Sequence, residues 1–286
     1  MKIGCHVSNS DPFLLLGAAN EAIDAGANCF MIYLGAPQNT FRRKASEMKV
    51  QEMKQVLQNA NIAIDDVIVH APYILNLAQN NEEKRRFAVS LLTSDIRLMD
   101  EIGLKTMVVH PGSSLDNGLD IGIDNIIQSL KEIFDQTKDS SVVIALETMA
   151  GKGNECCYRF EHFQTIFQRI AHRRLQACFD TCHVFDSGYD LVQSYEEVLS
   201  EWNQIVGWDK IAVIHVNDSK NEMGSKKDRH ENIGKGQIGF KTLQRICRDE
   251  RFSTVPKILE TPFLIDEFGK KTISPYKKEI AQLKNK

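Results

Sequence analysis

Several things are missing from this 286-residue chain, and each absence narrows what it can be. No apolar run approaches the roughly 20 residues that a membrane-spanning helix requires. The N-terminus, MKIGCHVSNSD, lacks the charged-then-apolar pattern of an export signal, so a cytoplasmic location is expected. The seven cysteines are odd in number, two of them are adjacent (Cys156 and Cys157), and no CxxC pair occurs. That usage speaks against a disulfide framework or an all-thiolate zinc site. Neither sign of charge prevails: 35 Lys and Arg face 38 Asp and Glu, for a net charge of −3. Binding to nucleic acid would therefore need a local field, not a basic chain. GxxxxGK[ST] and GxSxG are both absent, and the first strand-like run lacks the glycine-rich turn of a dinucleotide fold. No low-complexity tract or linker divides the sequence.

What is present is a regular alternation. Strand-like runs fall at Ile3–Val7, Cys29–Leu34, Val67–Val69, Thr106–Val109, Val142–Leu146, Leu175–Phe179, Ile211–Val216 and Pro256–Leu259. Between them, helical spacing covers Asp11–Ala25, Asn81–Ile102, Ile121–Phe134, Phe160–Ile170, Tyr195–Ile205 and Tyr276–Leu283. Asp11-Pro12 predicts an N-cap followed by a first-turn proline, and Gly103 predicts a C-terminal stop. Eight β-then-α units in this length predict an α/β fold, a (β/α)8 TIM barrel forming a single domain over residues 1–286. A doubly wound open sheet is the alternative.

The ends of six consecutive strands carry His70, His110, Glu147, Asp180 (with His183 just beyond), His215 and Glu260. In a barrel, that rim is where active sites are assembled. The polar stretch that follows, HVNDSKNEMGSKKDRHENIGKG, adds Asp228 and His230, with Lys220, Lys226, Lys227 and Arg229 among them. Imidazoles and carboxylates without paired thiols suit zinc, manganese or iron. Nine candidate ligands are too many for one tetrahedral ion. Two divalent ions would just neutralise the four carboxylates, whereas three would leave a positive centre suited to a phosphodiester. Cys178 and Cys182 read as packing residues or as contacts to the ligands, His162 and His172 as surface histidines, and His6 as a contact to a ligand or to substrate at the rim.

Three long stretches resemble the endonuclease IV family of apurinic/apyrimidinic endonucleases: IALETMAGKGNE, ACFDTCHVFDSGYD and the His215–Gly236 segment. VHAPY and VVHPGS match as well, and the likeness extends over the whole chain. The resemblance implies a metal-dependent phosphodiesterase carrying three Zn2+ ions. It would act on double-stranded DNA containing abasic sites, cutting on the 5′ side to leave a 3′-hydroxyl and a 5′-deoxyribose phosphate, with water as the nucleophile. It further implies that Glu147 bridges two ions and serves catalysis. His70 and His110 would complete the first ion, Asp180, His215 and Glu260 the second, and His183, Asp228 and His230 would hold the third. Asp218 is left either a contact to the metal ligands or a structural role. Tyr73 matches a position that wedges into DNA, and Gln38 falls where some members carry an inserting arginine. Arg42, Arg43 and Lys44 either touch phosphates or form a solvated basic turn. A monomer without an obligate protein partner is expected. Two other readings stand beside this one: a metal-dependent sugar isomerase or epimerase on a similar barrel, and a non-catalytic metal-buffering or nucleic-acid-binding barrel.

Overall fold

The computed structural model describes residues 1–266, 269 and 272–285. In chain order the first half runs β1 (Lys2–His6), α1 (Leu14–Asp24), β2 (Cys29–Ile32), α2 (Val50–Asn59), β3 (Val67–His70), α3 (Glu82–Ile102), β4 (Thr106–Val109), α4 (Leu119–Gln136) and β5 (Val143–Glu147). The second half continues α5 (Phe160–Ile170), β6 (Leu175–Asp180), α6 (Thr181–Asp186), α7 (Tyr195–Ile205), β7 (Ile211–His215), β8 (Asp218–Ser219) and β9 (His230–Glu231). It ends with α8 (Phe240–Arg248), β10 (Pro256–Leu259), β11 (Leu264–Ile265), β12 (Thr272–Ile273) and α9 (Tyr276–Lys284).

Eight parallel strands close in the order β1-β10-β7-β6-β5-β4-β3-β2, which is the expected barrel. The seam pairs Lys2 with Pro256 and Cys5 with Leu259, so residues from opposite ends of the sequence are direct neighbours. The strands are near-continuous apolar runs because both faces are covered, by the barrel interior on one side and the helices on the other. The interior set comprises Cys29, Met31, Ile68, Val108, Ala145, Cys178, Val213 and Ile258. On β1 the corresponding place belongs to Gly4, where a Cβ would lie 1.6 Å from the Cys29 carbonyl oxygen. A far larger outer layer joins sheet to helices, and each fully buried Leu or Ile in it is worth about 1.5–3 kcal/mol.

Local signals account for both ends of α3. The Asn81 side chain accepts the Lys84 amide at 3.0 Å to open α3, and Gly103, with φ +96°, closes it. The expected cap at Asp11-Pro12 does not form. Those residues lie in a turn, α1 begins at Leu14 without a side-chain cap, and the Asp11 carboxylate accepts from Arg43 at 2.5 Å instead. α2 and α8 had no counterpart in the sequence reading; α2 buries only Met53 and Leu57, and α8 only Leu243, Ile246 and Cys247. Among the described residues, no helix is long and apolar enough to cross a membrane.

Candidate metal centre

Side chains alternate across a strand, so the residue two places beyond an inward-facing one points inward again, one step closer to the rim. Two steps beyond Ile68, Val108, Ala145, Cys178, Val213 and Ile258 stand His70, His110, Glu147, Asp180, His215 and Glu260. The same step from Gly4 and Met31 gives His6 and Tyr33, which complete a ring of eight. The barrel thus carries an apolar plug with a layer of imidazoles and carboxylates directly above it.

Glu147, fully buried, is central to that layer. Its Oε2 lies 3.3 Å from His70 Nε2 and 3.0 Å from His110 Nε2, while its Oε1 lies 2.9 Å from His215 Nδ1. His215 Nδ1 is also 3.1 Å from Glu260 Oε2 and 3.7 Å from Asp180 Oδ2. A separate group forms where the β7 loop folds back: His183 Nε2 is 3.0 Å and His230 Nε2 3.6 Å from Asp228 Oδ1. Three donor sets result, each with all its ligand atoms within 4.8 Å of one another. They are His70, His110 and Glu147; Glu147, Asp180, His215 and Glu260; and His183, Asp228 and His230. The nine residues anticipated from sequence therefore converge in the anticipated groupings, and Glu147 belongs to two of them. Cys178 and Cys182 fall within similar reach of neighbouring ligands. Cys178 belongs to the interior plug, and burial pushes its thiol up to about 12.

Backbone contacts aim the imidazoles. His70 Nδ1 donates to the Ala71 carbonyl at 2.6 Å and His183 Nδ1 to that of Thr148 at 2.8 Å, so both rings turn Nε2 inward. Burial opposes charge throughout the site, but the close opposite charges outweigh it for most members. Burial alone would raise Glu147, yet His215 and His110 hold its carboxyl well below the usual range. Burial would lower His183, but Asp180 and Asp228 raise it well above the ordinary imidazole value. For His70 burial is dominant and its value is lowered.

The residues present suit divalent cations. Four carboxylates crowd together, and among the described residues no lysine or arginine forms an ion pair with any of them. The Nε2 atom of His230 is buried without a hydrogen-bond partner, and it faces Asp228. Nitrogen and oxygen donors in sets of three and four match the requirements of zinc.

Other expectations fared unevenly. Asp218 is no ligand; its buried carboxylate accepts five backbone amides, from Ser219, Gly234, Gly236, Ile238 and Gly239, and so ties both roots of the loop together. His6 stands at the rim, 3.4 Å from Glu260 Oε1 and tilted against Tyr33. His162 is buried, not superficial, because it faces inward on α5 and meets the Tyr158 ring edge-on. His172 is stacked on Phe134. Tyr73 is half exposed, with Ile74 exposed beside it, and Gln38 is exposed in a turn. Arg42 is neither a free phosphate contact nor a solvated side chain, since its guanidinium grips Asp95 on α3 at 2.8 and 3.2 Å. Sequence reasoning also missed Asp186, which accepts from Ser219 Oγ at 2.6 Å and from the Asp228 amide at 2.9 Å. It missed Asn217 as well, although both residues lie within the stretches that carry the family resemblance.

Comparison with known proteins agrees with this geometry. The Xylose isomerase-like TIM barrel family model matches residues 19–285. "Probable endonuclease 4" of Bacillus subtilis is 46% identical over 288 residues, covering 100% of this chain and 95% of the relative. The crystal structure of endonuclease IV from Thermus thermophilus superposes with a TM-score of 0.81 at 28% identity, over 92% of this chain and 93% of that one. A D-tagatose 3-epimerase-like protein reaches a TM-score of 0.67 at 20% identity, over 91% and 90% of the two chains, which is a likeness of fold alone. With the barrel, its rim and full-length relatives in agreement, the chain belongs to the endonuclease IV family of DNA-repair nucleases.

Proposed function

We propose that this protein is a zinc-dependent endonuclease that hydrolyses the phosphodiester on the 5′ side of abasic sites in duplex DNA. Its products would be a 3′-hydroxyl and a 5′-deoxyribose phosphate, and the chain would act as a monomer. The observation that carries the reading is the triple donor set with Glu147 shared between two sets, built from carboxylates that no lysine or arginine neutralises among the described residues. His70, His110 and Glu147 would hold one ion; Glu147, Asp180, His215 and Glu260 a second; His183, Asp228 and His230 a third. When bound, such ions lower the pKa of water and stabilise charge on the attacking and leaving oxygens of a phosphoryl centre.

The remaining residues bind and orient. His70 and His183 are held as Nδ1 donors to backbone carbonyls, which keeps Nε2 available without a change of tautomer. Lys220, Lys226, Lys227 and Arg229, borne on the loop that Asp218 anchors, meet backbone phosphates. The Tyr73 ring fills the gap in the base stack, and Gln38 approaches from the neighbouring loop as an uncharged group. An abasic nucleotide, lacking stacking, leaves the duplex at low cost.

The test is a duplex carrying a tetrahydrofuran abasic analogue, which cannot undergo β-elimination. Cleavage on its 5′ side is expected, abolished by chelation and restored by zinc. A zinc-loaded protein that leaves this duplex intact would refute the assignment. About one metal per chain with turnover of free sugars would favour the isomerase reading instead.

A further inference from the structure

Between two carboxylates of the second donor set, Asp180 and Glu260, stands a side chain that belongs to none of the three sets. Asn217 lies two residues beyond His215 on the central of three adjacent strands, β10, β7 and β6. It is completely buried. Its Nδ2 donates to Asp180 Oδ2 at 2.7 Å, at the end of β6, and to Glu260 Oε2 at 3.3 Å, just past β10. Its Oδ1 accepts the Glu260 backbone amide at 2.8 Å. One carboxamide thereby grips a carboxylate on each flanking strand and the main chain of one of them.

Asn217 is itself immobilised. The Thr181 hydroxyl accepts the Asn217 amide at 2.9 Å and donates to the Asn217 carbonyl at 2.7 Å. The Asp180 amide in turn donates to Thr148 Oγ1 at 2.9 Å. The same two oxygens, Asp180 Oδ2 and Glu260 Oε2, also approach His215 Nδ1, at 3.7 and 3.1 Å. The chemistry of the clamp is specific. Two buried anions repel each other, and only a neutral donor with two N–H groups can hold both without competing with a cation for them. A lysine there would take the ion's place, and an aspartate would add a third repelling anion.

We propose that Asn217 is a positioning residue for the second ion: by pairing Asp180 with Glu260 it sets how tightly that ion is held, while none of its own hydrogen bonds goes to His70, His110, Glu147, His183, Asp228 or His230. This rests on the reading that the three sets hold metal. Partners of metal ligands typically contribute 10–100-fold in affinity, and a loss of roughly that size is expected for the isosteric Asn217→Asp, with a smaller loss for Asn217→Ser.

The experiment measures zinc per chain at graded chelator concentrations for the wild type and both variants. Zinc-edge anomalous diffraction locates the ions that remain, and urea unfolding of the metal-free proteins reports on the fold. Three ions in the wild type, with selective loss at the Asp180, His215 and Glu260 position in the variants and unchanged metal-free stability, is the expected result. Wild-type retention of all three ions in Asn217→Asp would overturn the proposal. So would loss spread across all three positions together with a weakened metal-free fold, which would make Asn217 a structural tie. A wild type that binds fewer than two ions would instead sink the underlying metal reading, and is distinguishable on that ground.

Discussion

Glu147 contacts four imidazoles, those of His70, His110, His183 and His215, and has no exposure to solvent. Exchanging it for glutamine keeps the volume and removes the charge common to two donor sets. Glu147→Gln should lower cleavage of abasic duplex by more than the roughly 10–100-fold typical of residues that only support ligands, while DNA binding persists. Turnover equal to wild type would remove Glu147 from the chemistry. Tyr73 gives the opposite pattern, being half exposed and a member of none of the donor sets. Tyr73→Ala should reduce the preference for abasic over intact duplex by about 10–100-fold, the worth of one base stacked on an aromatic ring. Its zinc content should not change, and a fall in bound zinc would show the ring to be structural. The ligands were legible in sequence because most of them follow an apolar strand by a fixed step. Asn217 and Asp186 were not, because their partners come from segments distant in sequence that only the closed fold brings together.

At the scale of elements, the segment from Asp218 to Gly239 is organised by two buried carboxylates, Asp218 at its roots and Asp186 beneath Asp228. A Cβ at Gly236 would sit 2.3 Å from the Ser219 carbonyl oxygen, so that close crossing needs glycine. The loop is therefore tied down along its length, although its composition resembles a solvated surface. The helices overlooked in sequence are α2 and α8, which bury only two and three residues, and the short α6, which follows β6 directly and is buried throughout. Further along, Asp249 starts a single helical turn, accepting the Arg251 amide at 3.0 Å and the Tyr195 hydroxyl at 2.8 Å. Partial burial would raise this carboxyl, but Arg251 and Tyr195 hold it below its ordinary value. Its folded pKa thus lies below its unfolded one, near 3.9. The stabilisation is present above that value and is lost as pH falls through the folded one. Asp249→Asn should cost about 1 kcal/mol at pH 7, a modest figure because the site is partly exposed. In urea unfolding, the gap to wild type should narrow below about pH 4; an equal gap at both pH values would show that charge plays no part.

For the molecule as a whole, the barrel was the most legible feature, since eight apolar runs, six of them followed by a helical stretch, leave few other folds. Its closure also gathers the four carboxylates, and stripping bound ions would leave them without their counter-charge. An ion present at a thousand times its Kd stabilises the fold by about 4 kcal/mol, which for a chain of this size corresponds to roughly 10 °C in Tm. Calorimetry with and without chelator should show a fall of at least that size, reversed by zinc. An unchanged Tm would mean that no ions support the fold.

The seam between β1 and β10 also bears on the order in which the chain is made. In sequence, the first donor set is complete at Glu147 and the third at His230, but the second must wait for Glu260, one residue past the strand that closes the ring. Domains fold as their residues emerge during synthesis, and pairings between distant residues form late. A nascent chain that has passed His230 but not Pro256 has seven of the eight staves and all the ligands of two sets. It lacks the last stave, and Asp180 and His215 still await their carboxylate partner. Interruption of synthesis in that interval leaves a barrel with an open side, its unpaired edges being those of β1 and β7.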